Sequence, residues 1–247
     1  MLSKLFNDLR FYLILFGPLK GRWIYMAPRH GIKKILGVYE PLIAKLIAAQ
    51  IKPGDVCMDV GSHIGYFSLL MAVQSQTGLV IAIDPIKSNI VAVKKSFKKN
   101  KLLNIKAYDY GLSNVEGRNV AEVYTDSDMV HFTDSVQVSA APSHTSSSFR
   151  VKSLDELVKE SNLDNLNFIK IDVEGYEEKV LLGGMTTLKK WKPTLIIEIH
   201  AHELGKRIYH LLRKLGYTIY NIHKEHIKAD DIKNLNLQYF LLAIYES

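Results

Sequence analysis

Four carboxylates and one histidine stand in or just beyond short apolar runs of this chain. They are Asp59 in Cys57-Met58-Asp59-Val60, Asp84 after Val80-Ile81-Ala82-Ile83, Asp172 after Phe168-Ile169-Lys170-Ile171, Glu174 two residues on, and His200 after Thr194–Ile199. Such runs read as buried strands, and groups at the carboxyl edge of an open sheet line its crevice. Acids in that position can grip an ammonium or a sugar diol, or accept a proton.

The first run continues as Gly61-Ser62-His63-Ile64-Gly65 and enters a helix. Gly61 permits the turn, Gly65 lets the helix pack closely, and the helix start offers N–H groups to a carboxylate or phosphate. Asp59 beside this loop would repel a phosphate but attract an ammonium, so a zwitterion suits it better. S-adenosylmethionine (SAM) is such a ligand, and Asp59, Gly61, Ser62, His63 and Gly65 are its expected contacts. Asp84, nineteen residues after Gly65, is placed to accept hydrogen bonds from ribose hydroxyls, a geometry common to NAD and SAM sites. The loop has two glycines instead of Gly-x-Gly-x-x-Gly, and bulky His63 sits where a pyrophosphate needs bare backbone. A dinucleotide is therefore disfavoured.

These residues must be positioned by alternating strands and helices, the pattern of a parallel sheet covered on both faces. Strands are expected at Val56–Val60, Val80–Ile83, Ile105–Asp109, Phe168–Asp172 and Thr194–Ile199. Helices are expected over 64–74, from Ser88 to before Asn100, over 176–188 and over 203–215, and Ser153 with Glu156 has the spacing of a capping box. Thr218–Ile222 and Tyr239–Tyr245 have no crossover helix between them and form an antiparallel pair. The fold class is thus α/β, a doubly wound, mostly parallel seven-stranded sheet with a C-terminal antiparallel strand. Residues 117–151 interrupt the rhythm with β-like runs at Val120–Tyr124 and Ser135–Ala140 and a Ser-rich loop over 142–148. This insertion within a domain of residues 41–247 is expected to set substrate specificity.

Residues 1–40 are read as a helical extension, because Leu2, Leu5, Phe6, Leu9, Tyr12, Leu13 and Phe16 recur at helical spacing before Gly17-Pro18. With Lys4, Arg10, Lys20, Arg22 and Trp23 nearby, residues 1–27 can lie on a membrane surface or pack on the domain or a second subunit. The net charge of +7 is also compatible with nucleic acid, but Lys94, Lys95, Lys98, Lys99 and Lys101 read as the solvated end of one helix. Nucleic acid is not the expected partner. Cys57 is the only cysteine and lies in an apolar run, which fits a reducing, cytoplasmic setting, peripheral to a membrane if the amino terminus docks there.

In this order the elements resemble the FkbM family of SAM-dependent methyltransferases, within the class I, Rossmann-like group. Three blocks carry the likeness: Met58–Ser68, Val151–Leu157, and Phe168-Ile169-Lys170-Ile171-Asp172-Val173-Glu174-Gly175-Tyr176-Glu177 with Ile196–His200 beyond. The resemblance covers about residues 50 to 245 and departs at His63 and Tyr176. It implies that Asp59, Gly61 and Gly65 hold the methionine end of SAM and Asp84 the ribose. Asp109 and Tyr110 would border the adenine, although Tyr110 equally reads as core. His200-x-His202 with Glu198 and Asp172 also permits a metal site, but it lacks a tight zinc spacing and the resemblance implies no required metal.

Methyl transfer from a sulfonium to a hydroxyl needs alignment, exclusion of water and a base for the departing proton. His200, with Glu198 orienting its ring, is the preferred base, because an unperturbed imidazole is mostly neutral at pH 7. Asp172 is the rival. Alternation puts Lys170 and Asp172 on one side of their strand, so Asp172 is expected to pair with Lys170. Glu174 either faces the acceptor or caps the following helix. The expected activity is O-methylation of a small molecule, sugar or glycolipid. Alternatives are a non-catalytic, membrane-associated adaptor that binds SAM and, with less support, an NAD-dependent oxidoreductase.

Overall fold

The computed structural model describes residues 8–115, 117–124, 129–132, 144–235 and 239–246. The chain divides into two compact units, residues 1–109 and 110–247. Seven strands make a mostly parallel sheet with helices on it, the α/β class expected from the alternation.

The first unit opens on a two-stranded antiparallel hairpin, β1 (Arg10–Leu13) and β2 (Trp23–Met26). The helix expected to run to Phe16 is therefore absent over the described residues, and residues 1–7 of that expectation lie outside them. The physical reason is local ambiguity: Phe11 to Phe16 is apolar throughout, so it satisfies a period of 2 as well as 3.6. Neighbours decide between the two. Trp23 N–H donates to Asn100 Oδ1 (2.9 Å), Asn100 Nδ2 donates to the Trp23 carbonyl (2.6 Å), and Tyr25 N–H donates to Ser96 Oγ (2.9 Å). Side chains of a helix thus satisfy the backbone groups that an edge strand leaves open. Ile14, Ile24 and Met26 are fully buried, whereas Leu9, Phe11, Leu13 and Leu15 remain exposed.

Two short helices follow, α1 (Ile32–Leu36) and α2 (Pro41–Gln50), and then the parallel core. This consists of β3 (Cys57–Val60), α3 (Tyr66–Ser75), β4 (Val80–Ile83), α4 (Lys87–Lys99) and β5 (Ile105–Tyr108). Strand β4 pairs in parallel with β3 on one side and β5 on the other. All four residues of β3 and of β4 are buried, as strands covered on both faces require. The lysines at the end of α4 are not merely solvated. The Lys95 ammonium lies 4.0 Å from the Tyr25 ring centre and Lys99 lies 5.0 Å from that of Trp23, so cation–π contacts also hold the hairpin to α4.

The second unit starts with a small sheet of β6 (Gly111–Leu112), β7 (Gly117–Tyr124), β8 (Met129–Phe132) and β9 (His144–Lys152), in the order β6-β9-β7-β8. Residues 144–148, read as a loop from their serines, belong to β9; the expected run Ser135–Ala140 lies outside the described residues. Strand pairing with β7 across eight positions overrides the turn preference of serine. Then come α5 (Leu154–Glu160), β10 (Phe168–Ile171), α6 (Glu177–Leu182), α7 (Met185–Trp191), β11 (Thr194–Ile199), α8 (His202–Lys214), β12 (Tyr217–Tyr220) and β13 (Tyr239–Tyr245). Ser153 caps α5 by accepting from Glu156 N–H at 3.1 Å. Strand β10 is parallel to β11, whereas β13 runs antiparallel to both β11 and β12.

The single helix expected over 176–188 is two helices, broken at Gly183-Gly184. A Cβ on Gly183 would come within 2.1 Å of the Ser113 carbonyl oxygen, and one on Gly184 within 2.4 Å of Leu154 Cδ2. The break lets the chain pass close to its neighbours where a straight helix with side chains would collide.

Candidate active site

In the first unit, β3 delivers Asp59 and then a tight loop to α3. Asp59 is 1% exposed and accepts a hydrogen bond from Ser68 Oγ at 2.5 Å. Gly61 has φ +78°, which explains its glycine, and His63 adopts φ +49°, an uncommon conformation for a side chain of its size. Gly65 has φ +83° and caps α3; a Cβ there would lie 2.8 Å from Val93 Cγ2 on α4. The helix-packing role read from sequence for this glycine thus has a definite neighbour.

The loop amides are largely used within the loop. Gly61 and Ser62 N–H both donate to the Ile83 carbonyl (2.9 Å each), and Gly65 N–H donates to the Ser62 carbonyl (2.8 Å). His63 N–H donates to Asp84 Oδ2 at 2.8 Å. These four donors, on which an anion-binding loop was expected to draw, are already satisfied. The start of α3 carries no side-chain cap, and Ser62 Oγ is buried without a hydrogen-bond partner. Both are polar features suited to a ligand's carboxylate or amine.

Asp84, just past β4, does more than sequence reasoning assigned to it. Besides His63 N–H, its carboxylate accepts from Ile86 N–H (2.9 Å) and Asn89 Nδ2 (3.0 Å) through Oδ1. It ties the end of β4, the β3–α3 loop and the start of α4 together. Burial drives its pKa up to about 6 against those three hydrogen bonds, which favour the ionised form, with Asp59 adding a further upward push. Three acceptor sites are taken, so a sugar hydroxyl has only the second lone pair of Oδ2 to use. Asp109 is half-buried just past β5. Tyr110, at the start of the second unit, is 4% exposed with the Lys152 ammonium 5.6 Å from its ring centre, which fits the core reading.

The second unit gathers the other candidates at the ends of β10 and β11. Lys170, 2% exposed, donates to Asp172 Oδ2 at 2.9 Å, the pairing that strand alternation requires. Burial acts to raise the Asp172 pKa, but the Lys170 ammonium outweighs it, assisted by His200 and Glu198, and holds the group below the usual carboxylate range. His200 lies one residue past β11. Its Nδ1 is 2.9 Å from Glu177 Oε1, while Nε2 faces Glu174 Oε2 at 3.4 Å, Glu198 Oε1 at 3.9 Å and Asp172 Oδ1 at 4.0 Å.

Two expectations change here. The ring is oriented by Glu177 rather than Glu198. It is also not a neutral base. Burial acts to lower the His200 pKa, yet Glu177, Glu174 and Glu198 together raise it to about 9, so the ring is imidazolium at pH 7. Glu174 holds φ +51°, and its side chain points to His200; the turn amides of Val173 (3.3 Å) and Gly175 (3.0 Å) are taken by Glu177 Oε1. Capping of that turn therefore falls to Glu177, a wholly buried residue of the Phe168–Glu177 block to which the sequence pattern assigned no role. Its signal was available: an acid in the first turn of a helix, three residues past Glu174. Ser68 and Asn89 left no comparable trace. His202 is directed elsewhere, its Nε2 3.0 Å from the Leu235 carbonyl. A cleft between α5 and α7, lined by Ser153, Asp155, Thr187 and Trp191, is separate from this cluster. Its Asp155 accepts from Thr186 and Thr187 N–H.

Residues 59–219 match the model of the methyltransferase FkbM domain. The chain is 27% identical over 185 residues to the hexuronic acid methyltransferase AglP of Haloferax volcanii, covering 74% of this chain and 72% of that protein. Among solved structures, methyltransferase FkbM from Methylobacillus flagellatus KT superposes with a TM-score of 0.50 at 18% identity over 79% of this chain; the match spans 44% of that chain. SMU.1697c from Streptococcus mutans, solved in complex with SAH, gives 0.51 at 7% identity, covering 83% of this chain and 96% of its own. These structural likenesses agree with the sheet described above in showing a class I, Rossmann-like fold. Since the family model takes in the β3–α3 loop, the Lys170–Glu177 block and β11 within one continuous match, this protein belongs to the FkbM methyltransferase family.

Proposed function

We propose that the protein transfers a methyl group from SAM to a hydroxyl of a small molecule, sugar or glycolipid. The observation that carries this reading is the pairing of His63 N–H with Asp84 Oδ2 at 2.8 Å, which ties the loop that follows Asp59 and β3 to the acid just past β4 in the first unit. Buried Asp59 and the unpartnered Ser62 Oγ fit the ammonium end of a zwitterion. The remaining lone pair of Asp84 is assigned to a ribose hydroxyl, and Asp109 to the adenine edge. When bound, SAM supplies a methyl on a sulfonium whose departure leaves a neutral thioether.

The acceptor half of the reaction is assigned to the second unit. Asp172, kept ionised by Lys170, takes the hydroxyl proton; Glu174 accepts a hydrogen bond from the acceptor. His200 is a positioning residue that sets the separation of the two carboxylates. The name of the AglP relative, a hexuronic acid methyltransferase, supports a sugar acid among the acceptors to be tried.

Calorimetric titration of the full chain with SAM and with S-adenosylhomocysteine tests the cofactor. Micromolar binding of both is expected, and absence of SAM binding together with NADH binding would overturn the reading. Transfer of labelled methyl to a panel of hexuronic acids, neutral sugars and phenols then tests the acceptor class.

A further inference from the structure

We propose that Asp172, Glu174 and His200 form a binding site for a divalent cation, filled by an ion such as Mn2+ or Zn2+. Their ligand atoms all lie within 4.8 Å of one another. The two carboxylates come from the turn after β10 and the imidazole from the end of β11, so residues distant in sequence converge.

The separations fit an ion better than they fit hydrogen bonds. Charge-assisted N–H···O contacts close to about 2.7–2.9 Å. His200 Nε2 instead stands 3.4 Å from Glu174 Oε2 and 4.0 Å from Asp172 Oδ1. An ion with bonds of ~2.1 Å holds neighbouring ligand atoms roughly 3.0 Å apart in an octahedron and 3.4 Å apart in a tetrahedron, with opposite octahedral ligands about 4.2 Å apart. Both observed distances fall in that range. The Asp172 carboxylate is divided accordingly, with Oδ2 on Lys170 and Oδ1 turned to the gap.

A second observation comes from outside the three ligands. Nε2, which faces the gap, is sealed from solvent and has no hydrogen-bond partner. Its ring is fixed from behind by Glu177, a carboxylate with 0% side-chain exposure that contacts Nδ1 at 2.9 Å. The other oxygen of Glu177, Oε2, also has no partner. A buried carboxylate on the far nitrogen of a histidine, with the near nitrogen aimed at two further carboxylates, is the outer-shell arrangement that orients metal-bound imidazole. One nitrogen and two carboxylate oxygens suit Mn2+ or Zn2+ better than Ca2+. Coordination needs the neutral ring, so binding releases its proton. Positions left open on the ion would take adjacent hydroxyls or a carboxylate of the acceptor, a part of the inference that rests on the proposed methyl transfer.

The test uses the full chain, stripped with a chelator and desalted. Mn2+ is titrated by loss of its free-ion electron paramagnetic resonance signal, and Zn2+ by calorimetry. One site is expected, with Glu174→Gln and His200→Gln each weakening it at least tenfold and Glu177→Gln weakening it by roughly 10- to 100-fold. Circular dichroism checks that each variant is folded, and Glu174→Gln, at a partly exposed turn, is the variant least able to disturb the fold. The proposal is overturned if neither ion binds up to about 1 mM, the weak end of functional sites. It is overturned equally if folded Glu174→Gln and His200→Gln bind as the parent does. SAM is titrated in parallel on the same stripped sample: SAM binding without cation binding removes this site alone, and cation binding without SAM binding removes the proposed methyl transfer alone.

Discussion

Replacing Asp172 with alanine would leave the Lys170 ammonium, on a side chain 2% exposed, without its partner at 2.9 Å. Breaking one side of a buried ion pair costs about 3–5 kcal/mol, because the surviving charge has lost its hydration and its counterion together. Asp172 keeps 26% of its side chain exposed, so water can enter the vacated space, and the lower end, about 3 kcal/mol, applies. For a chain of 247 residues this corresponds to a fall in melting temperature of roughly 6–12 °C. The double variant Lys170→Met, Asp172→Ala removes the buried ammonium as well and places apolar atoms along its path. It should regain at least half of the loss. Urea and thermal unfolding of the parent, the single and the double variants give the answer directly. If the single variant stays within about 0.5 kcal/mol of the parent, or the double variant is less stable than the single, then the pair is not the buried electrostatic unit described here.

Two further outcomes follow from the first unit. Asp84 has its carboxyl pKa raised from 3.8 to about 6. A raised group favours folding in its protonated form, so its contribution is fully present below pH ~4 and is lost as the pH climbs through about 6, a change of roughly 3 kcal/mol. The stability difference between the parent and Asp84→Asn, followed by urea unfolding from pH 4 to pH 7, should fall by that order; a flat difference would refute the shift. Gly65→Ala forces a Cβ to 2.8 Å from Val93 Cγ2 at φ +83°. A loss of about 1–3 kcal/mol in chemical denaturation is expected, with Val93→Ala relieving only the steric part. A loss below about 0.5 kcal/mol would mean that α3 and α4 do not pack as closely as described.

Elements whose signals are local could be placed from the residues alone. An apolar run, an acid, a glycine turn and an amphipathic helix specify the β3–α3 unit, because each step is fixed by backbone sterics and burial over a few residues. The same holds for β10 with the alternating Lys170 and Asp172, for the Ser153 cap and for the antiparallel close of the sheet. Family likeness was legible for the same reason, since the blocks that carry it are contiguous. Tertiary structure decided what local patterns leave degenerate. Residues 10–16 satisfy both helical and extended periods; β2 selects the strand by pairing with Arg10–Leu13, and Ser96 of α4 with Asn100 at its C-cap completes the edge of β2. The serines of 144–148 join a strand because β7 pairs with them, and the helix after Glu177 breaks because Ser113 and Leu154 approach its glycines. The charge state of His200 belongs to this second group: four carboxylates from the turn after β10, the start of α6 and the end of β11 surround it, and no stretch of chain contains them all. Electrostatic environment depends on distances through space, whereas sequence spacing reports only distances along the chain.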